Sequence, residues 1–245
     1  MNAEIVQLTL RQQLTLGRLI ATGLLLLQPL IVGIVFMLFD TNEEPVQFAA
    51  DMLDVLVLTG ILPIIALLAG TGVMGNEVQN GTLPYLLLKP ISRVSILLSK
   101  TIVAVITTAA VLVPTILVSG LMIGTDADTT RVALGFAVAA AFGAAIYGTF
   151  FVLLSLLTSR AFIVGLIYIF LWEAAITNIF PGVQYLSIRH YSRAVADAIA
   201  AQPDGVLDSE LAIVPALVLA IVAAALSLWL ATERLRGYQV GDTSG

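Results

Sequence analysis

The chain reads as an all-α integral membrane protein with six transmembrane helices, and three observations carry that reading. Of its 245 residues 59% are hydrophobic and only 11% charged, whereas soluble proteins carry about 25% charged residues. Mean hydropathy is +1.03. Six apolar stretches, at 19–39, 52–74, 96–123, 132–157, 162–180 and 211–232, are long enough for a hydrocarbon core that takes roughly 20 helical residues to cross. They make one transmembrane domain over 1–245, with an interfacial segment at 1–18, a loop at 75–95 and a long segment at 181–210. The absence of cysteine and the single histidine, His190, exclude disulfides, thiol nucleophiles, cysteine zinc sites and iron–sulfur clusters. A net charge of −5 gives no reason to expect nucleic-acid binding.

At the amino terminus, "AEIVQLTLRQQLTLG" places Ile5, Leu8, Leu16 and Leu19 on one helical face and Gln7, Arg11 and Arg18 on another. An amphipathic helix along the inner leaflet is expected; a plain extension of the first span is the alternative. The first apolar run is too long for a cleaved signal and no small-residue cleavage site follows it. Prolines 29, 63, 114 and 215 fall inside four spans and predict kinks, since neighbouring helices satisfy the freed carbonyls. The third and fourth spans exceed the minimum length and are expected to tilt or project. The fourth sets Gly135, Ala139 and Gly143, and Ala140, Ala144 and Gly148, at four-residue spacing, a stripe that lets helix backbones approach.

Orientation follows from the basic residues. With the amino terminus inside, Arg11, Arg18, Lys89, Arg93, Lys100, Arg160, Arg234 and Arg236 are cytoplasmic, and Arg131, Arg189 and Arg193 are external. The external side then holds Asp40, Glu43, Glu44, Asp51, Asp126, Asp128, Asp197, Asp204, Asp208 and Glu210. Both termini are therefore expected in the cytoplasm.

The cytoplasmic loop after the second span, "GNEVQNGTLPYLLLKPISRVSILLSK", carries its own apolar hexapeptide from Leu83 to Leu88. Asn80-Gly81 is a turn signal. Thr82 is placed to cap a short helix with Pro84 in its first turn, Pro90 stops it, and Ser92 is placed to cap the third span. A charge-rimmed apolar patch fits a partner's groove; burial in the headgroups or against the end of the bundle fits it equally.

This loop resembles that of the ABC-2 family of ABC-transporter permeases. The shared pattern is Glu77, Gly81-Thr82, Leu86-Leu87, Pro90-Ile91-Ser92-Arg93 and Lys100. The six spans, the internal termini and the amphipathic amino-terminal helix also match. "LWEAAITNIFPGVQYLSIRHY", residues 171–191, is similar to the fifth span and following external segment of many bacterial and archaeal members. The resemblance implies that the loop is a coupling helix docked on a separate ATPase subunit. Leu83, Tyr85, Leu86, Leu87 and Leu88 would form the apolar contact, Glu77, Lys89 and Arg93 its polar rim, and Gly81-Thr82 its start. It implies an exporter in a prokaryotic plasma membrane, paired with a second copy or a similar permease. Its substrate route would follow their interface, lined by parts of spans one, two and five, with short external helices at the exit. No G-x-x-x-x-G-K-[ST] occurs in the chain, so a nucleotide with its Mg²⁺ belongs to the partner ATPase and this chain is expected to need no cofactor of its own.

Glu173 falls about 11 residues into the fifth span, roughly 16 Å deep, where an ionised acid must face protein or water. It is either a polar group on the pathway or a packing group bonded to Asn178, Thr177 or Tyr168; no second buried acid is evident. The segment 181–210 is expected to hold one or two short amphipathic helices at the outer interface, which line the exit or simply lid the bundle. The turn Thr158-Ser159-Arg160 is a smaller candidate contact, though a plain basic turn obeys the same charge rule.

His190 has Ser187, Ser192 and Asp197 near it, but no nucleophile-elbow glycine pattern accompanies them. A lone histidine excludes H-E-x-x-H, and Glu43-Glu44 is followed by Pro45 without a matching Arg. The chain is thus expected to be non-catalytic. The alternative is a six-span ion-driven transporter or membrane scaffold without an ATPase, against which stands the lack of an internal repeat.

Overall fold

A computed structural model of the chain describes residues 9–10, 13, 15–39, 43–79, 92–180, 182–200, 207, 209 and 211–237, with the backbone alone at 76–79 and 178. Among them every regular element is helical. α1 (Leu16–Leu38) begins where the Thr15 carbonyl accepts the Leu19 N–H at 3.0 Å. α2 (Pro45–Met52), a π-helical stretch (Leu53–Ile61) and α3 (Leu62–Gln79) continue as one rod. α4 (Arg93–Ile123) starts on Ser92, whose hydroxyl accepts the Ser95 N–H at 3.3 Å, the cap read from the sequence. α5 (Ala127–Leu157) is capped by Asp126, which accepts the Thr129 N–H at 2.9 Å and its hydroxyl at 2.8 Å. Those bonds favour the charged form and hold the Asp126 carboxyl below the usual carboxylate range. α6 (Ala161–Ile167), a second π-helical stretch (Tyr168–Ile176) and α7 (Thr177–Ile179) form another rod. A 3₁₀ turn (Val183–Leu186), α8 (Ile188–Ala200) and α9 (Ile213–Gly237) complete the order.

Five of these helices are long and apolar enough to cross a membrane: Leu16–Leu38, Pro45–Gly75, Arg93–Ile123, Ala127–Leu157 and Ile213–Gly237. The fifth stretch read from the sequence is apolar from Ala161 to Ile176 but shorter than the others. Its rod ends early because Phe180 is extended and Gly182, at φ 97°, turns the chain back. That left-handed conformation costs glycine nothing and strains other residues.

The prolines act differently from one another. Pro29 and Pro114 lie inside unbroken helices. Pro63 stands just beyond the first π-helical stretch, where its missing N–H cannot continue an ordinary ladder. Pro215 sits in the first turn of α9 rather than at a kink, where no intrahelical donor is needed.

α5 is the central helix, packed against α3, α4, α8 and α9, with Phe136, Tyr147 and Phe151 fully buried. Its small-residue stripe is buried throughout, as its spacing predicts. Lipid tails are as apolar as leucine, so such contacts gain from close approach rather than from water release. A Cβ on Gly120 would come 2.5 Å from that of Ala133, and one on Gly135 would come 2.8 Å from the Ala196 carbonyl and 3.3 Å from the Ala200 nitrogen. Backbone atoms cannot give way as a side-chain tip can. Gly135→Ala is therefore expected to destabilise by about 1–3 kcal/mol, measured as thermal unfolding in detergent. Gly75→Ala, whose Cβ would meet nothing within 4 Å, should match the parent. Equal stability of both variants would refute the α5–α8 contact.

That contact bears on the 181–210 segment. Packed on the bundle, α8 buries Ile188, Arg189, His190, Tyr191, Ser192, Ala194, Val195, Ala196 and Ala200. Its amphipathic stripe faces α5 because Gly135 and Gly143 leave room for its backbone and for Ser192.

The amino-terminal segment also faces protein where it is described. Thr9 and Gln13 are buried, and Gln13 Nε2 donates to the Ala69 carbonyl at 2.8 Å. Arg18 lies against Gly72, while Leu16 and Leu19 point outward, 75% and 49% exposed. Residues 16–18 belong to α1 rather than to a separate interfacial helix. Ile5, Gln7, Leu8 and Arg11 lie outside the described residues.

Candidate functional site

Charge separates the two ends of the bundle. At one end Met74, Leu97, Leu156 and Leu235 form a common apolar cluster; Arg93 opens α4 with Lys100 after it, Arg160 follows α5, Arg234 and Arg236 lie in the last turn of α9, and Arg18 lies against Gly72. The segment 80–91 leaves α3 and re-enters at α4 on this end. Gly81, Thr82, Leu83, Tyr85, Leu86, Leu87, Leu88 and Lys89 lie outside the described residues, and of Glu77 only the helical backbone is described.

What flanks the segment is a braced platform. Arg93 Nη1 donates to the Leu235 carbonyl at 2.7 Å and the Arg236 carbonyl at 2.8 Å, tying α4 to the orphan carbonyls that end α9. One nitrogen of its guanidinium is thus engaged between helices. Lys100, 2% exposed, donates from Nζ to the Val73 carbonyl and pins α4 to α3. A lysine in such a place is held by a helix's own backbone, a role the sequence pattern did not disclose. Arg160 and Ser159 form an exposed turn in which the Arg160 N–H reaches the Thr158 hydroxyl at 3.2 Å.

Toward the other end lie two buried acids, one on each π-helical stretch. Glu173 is 1% exposed. Its Oε1 accepts the Tyr168 hydroxyl at 2.8 Å and the Ile188 N–H at 3.0 Å, and its Oε2 accepts the Ser187 hydroxyl. The five-residue step from Tyr168 to Glu173 suits π geometry, in which positions i and i+5 come together, as in the Thr177 N–H bond to the Trp172 carbonyl. Thr177 donates to the Glu173 carbonyl and not to its carboxylate. The Asn178 side chain lies outside the described residues.

Ser187 is the cap of α8. Its oxygen accepts the His190 N–H at 3.3 Å and lies 2.8 Å from His190 Nδ1. The serine oxygen thus joins Glu173, the backbone of α8 and the His190 ring. The serine is the middle member and is bonded directly to the acid, an arrangement that caps a helix rather than readying a nucleophile. Tyr147 Oη, fully buried on α5, comes within electrostatic reach of Glu173 without a well-directed hydrogen bond.

Asp54 overturns the expectation that no second acid is buried. It is 7% exposed on the first π-helical stretch, and its Oδ2 lies 3.2 Å from Arg189 Nη2 and 3.8 Å from Arg193 Nε. Arg189 is 8% exposed. Two arginines one helical turn apart on α8 thus converge on an acid 135 residues before the first of them. The acid was visible inside the apolar run 52–74, but nothing local to it pointed to its partners.

The geometry defines a polytopic helical membrane protein whose polar groups are spent on bracing helices against one another. Residues 17–182 match the family model described as ABC-2 family transporter protein, and the chain belongs to that family. It is a membrane subunit of an ABC transporter. The match ends at Gly182, so α8 and α9 stand beyond it. No curated protein matches the chain.

Proposed function

We propose that this chain is the permease half of an ATP-driven exporter, working with a second permease and with two P-loop ATPases that hold ATP and Mg²⁺. The family match over 17–182, which includes the whole loop from Gly75 to Lys100, carries the reading. Six spans and cytoplasmic termini belong to the same proposal, supported by the six basic residues gathered at the end that bears the loop.

The bracing suits a lever. A push on the segment 80–91 is received by α3 and α4 together, since Lys100 and Val73 join them. The rod that starts at Gln79 runs back to Pro45 and carries Asp54 near its far end; its apolar part, Pro45–Gly75, is about 45 Å for 31 residues at 1.5 Å each. Motion of that rod is delivered to α8 through Arg189. Asp54 is ion-paired and Glu173 fully bonded within the protomer, which supports positioning roles over a proton relay. α1 exposes leucines such as Leu24 and Leu27, and α6 exposes Phe162 and Ile163; these faces are open to a second permease or to lipid.

The test is co-purification of tagged permease expressed from its own operon, in gentle detergent, with assay of ATP hydrolysis. A stoichiometric P-loop ATPase is expected. A folded permease recovered alone, without turnover, would leave an ion-driven transporter or a scaffold. For Glu173, Glu173→Gln should cost on the order of 1.5–3 kcal/mol of stability, the worth of hydrogen bonds to a charged group. Transport should fall only as far as folded permease is lost. A transport defect in a fully stable variant would instead put Glu173 on the substrate route.

A further inference from the structure

Near the basic end, α1, α3 and α4 enclose a cavity of about 260 Å³. Its wall is mostly aliphatic, with Ile65, Leu68, Ala69 and Val111 among its lining, while Arg18 and Gln13 stand at one end. No acid lines it. Leu19 and Ala110, both exposed, are also part of its lining, so it opens sideways between α1 and α4 rather than toward an aqueous end.

The charged end is built rather than incidental. Gln13 bridges Arg18 to α3, accepting from Arg18 Nη1 at 3.4 Å and donating to the Ala69 carbonyl at 2.8 Å. Gly72 makes the space, since a Cβ there would lie 2.4 Å from Arg18 Nη1 and 2.6 Å from Cζ. A guanidinium presents a fork matched to phosphate and carboxylate oxygens. A dry aliphatic chamber beside it favours a hydrocarbon chain.

We infer that this cavity binds an anionic lipid of the leaflet at the basic end, its headgroup on Arg18 and the head-proximal part of one acyl chain between α1 and α4. The inference concerns the permease by itself and holds whether or not an ATPase docks. Thr22 and Thr107, which also line the cavity, stand where the glycerol esters would pass.

The full-length chain, purified and delipidated, is titrated with dioleoylphosphatidylglycerol, dioleoylphosphatidylcholine or inorganic phosphate, with thermal stability and native mass spectrometry as readouts. Phosphatidylglycerol should bind about tenfold more tightly than phosphatidylcholine, a difference of about 1.4 kcal/mol, and phosphate alone should not stabilise. Arg18→Gln should remove the preference. So should Gly72→Ala, which displaces the guanidinium while keeping its charge and leaves a folded protein if Arg18→Gln does not. Val111→Phe should lower binding of both lipids by filling the chamber. Equal binding of the two lipids by the parent, or an unchanged preference in Arg18→Gln and Gly72→Ala, would overturn the site. Stabilisation by phosphate alone would overturn the acyl-chain part. Each readout is taken on the permease by itself, so its failure is distinct from a failure to capture an ATPase.

Discussion

Leu87→Asp is expected to abolish ATPase capture and ATP-driven transport while the permease remains inserted and folded. The expected contact is a short run of leucines in a groove of the partner, and an aspartate there loses its hydration without gaining a counter-charge. Burying an unpaired carboxylate costs several kcal/mol, and a central interface residue is worth roughly 2 kcal/mol or more. The loss of affinity should therefore exceed about 30-fold, at 1.4 kcal/mol per factor of ten. Folding should be spared because position 87 lies between two helices braced by other residues. Arg93 holds α4 to α9 and Lys100 holds it to α3. The measurements are co-purification of the ATPase, ATP turnover and a thermal melt of the permease. Unchanged complex formation and turnover would remove the docking role from the leucines.

Asp54→Asn is expected to be the most damaging single change within the bundle. It leaves the Arg189 guanidinium, 8% exposed, without the opposite charge 3.2 Å away. Removing one partner of a buried pair typically costs about 3–5 kcal/mol. Arg193, with more of its side chain exposed and 3.8 Å from the same oxygen, should recover only part of the loss. The pairing is tested by a double-mutant cycle: Asp54→Leu with Arg189→Met should be far less destabilising than the sum of the single changes. Thermal unfolding in detergent reads both. Additive effects would mean that the two side chains act independently.

Legibility from sequence differed by element. Apolar runs announced five spanning helices and the α6 rod, because twenty apolar residues in lipid admit a helix and little else. Ser92 was legible as a cap because capping is decided within three residues. The small-residue stripe of α5 announced close packing, and Gly135 against Ala196 shows it. Glu173 stands out in the sequence as an acid in an apolar run, and Tyr168 is a partner within its reach along the helix. Asp54 meets the same criterion, but it lies two residues inside its apolar run, where the sequence does not separate it from the acidic loop beside it.

What sequence alone determined is the class: a helical membrane subunit of the ABC-2 family with a basic end that carries the loop. Composition, span length and a motif within one loop are local properties and need no knowledge of neighbours. Only the tertiary structure decided which polar groups are committed to holding helices together. The Asp54–Arg189 pair spans 135 residues, Arg93 reaches carbonyls 142 and 143 residues away, and Lys100 meets a backbone carbonyl, which has no sequence signature. α8 shows the same limit, since an amphipathic stripe fits an interface or a bundle equally well. The glycines of α5 chose the bundle because they leave room for a backbone that no water or headgroup needs to fill.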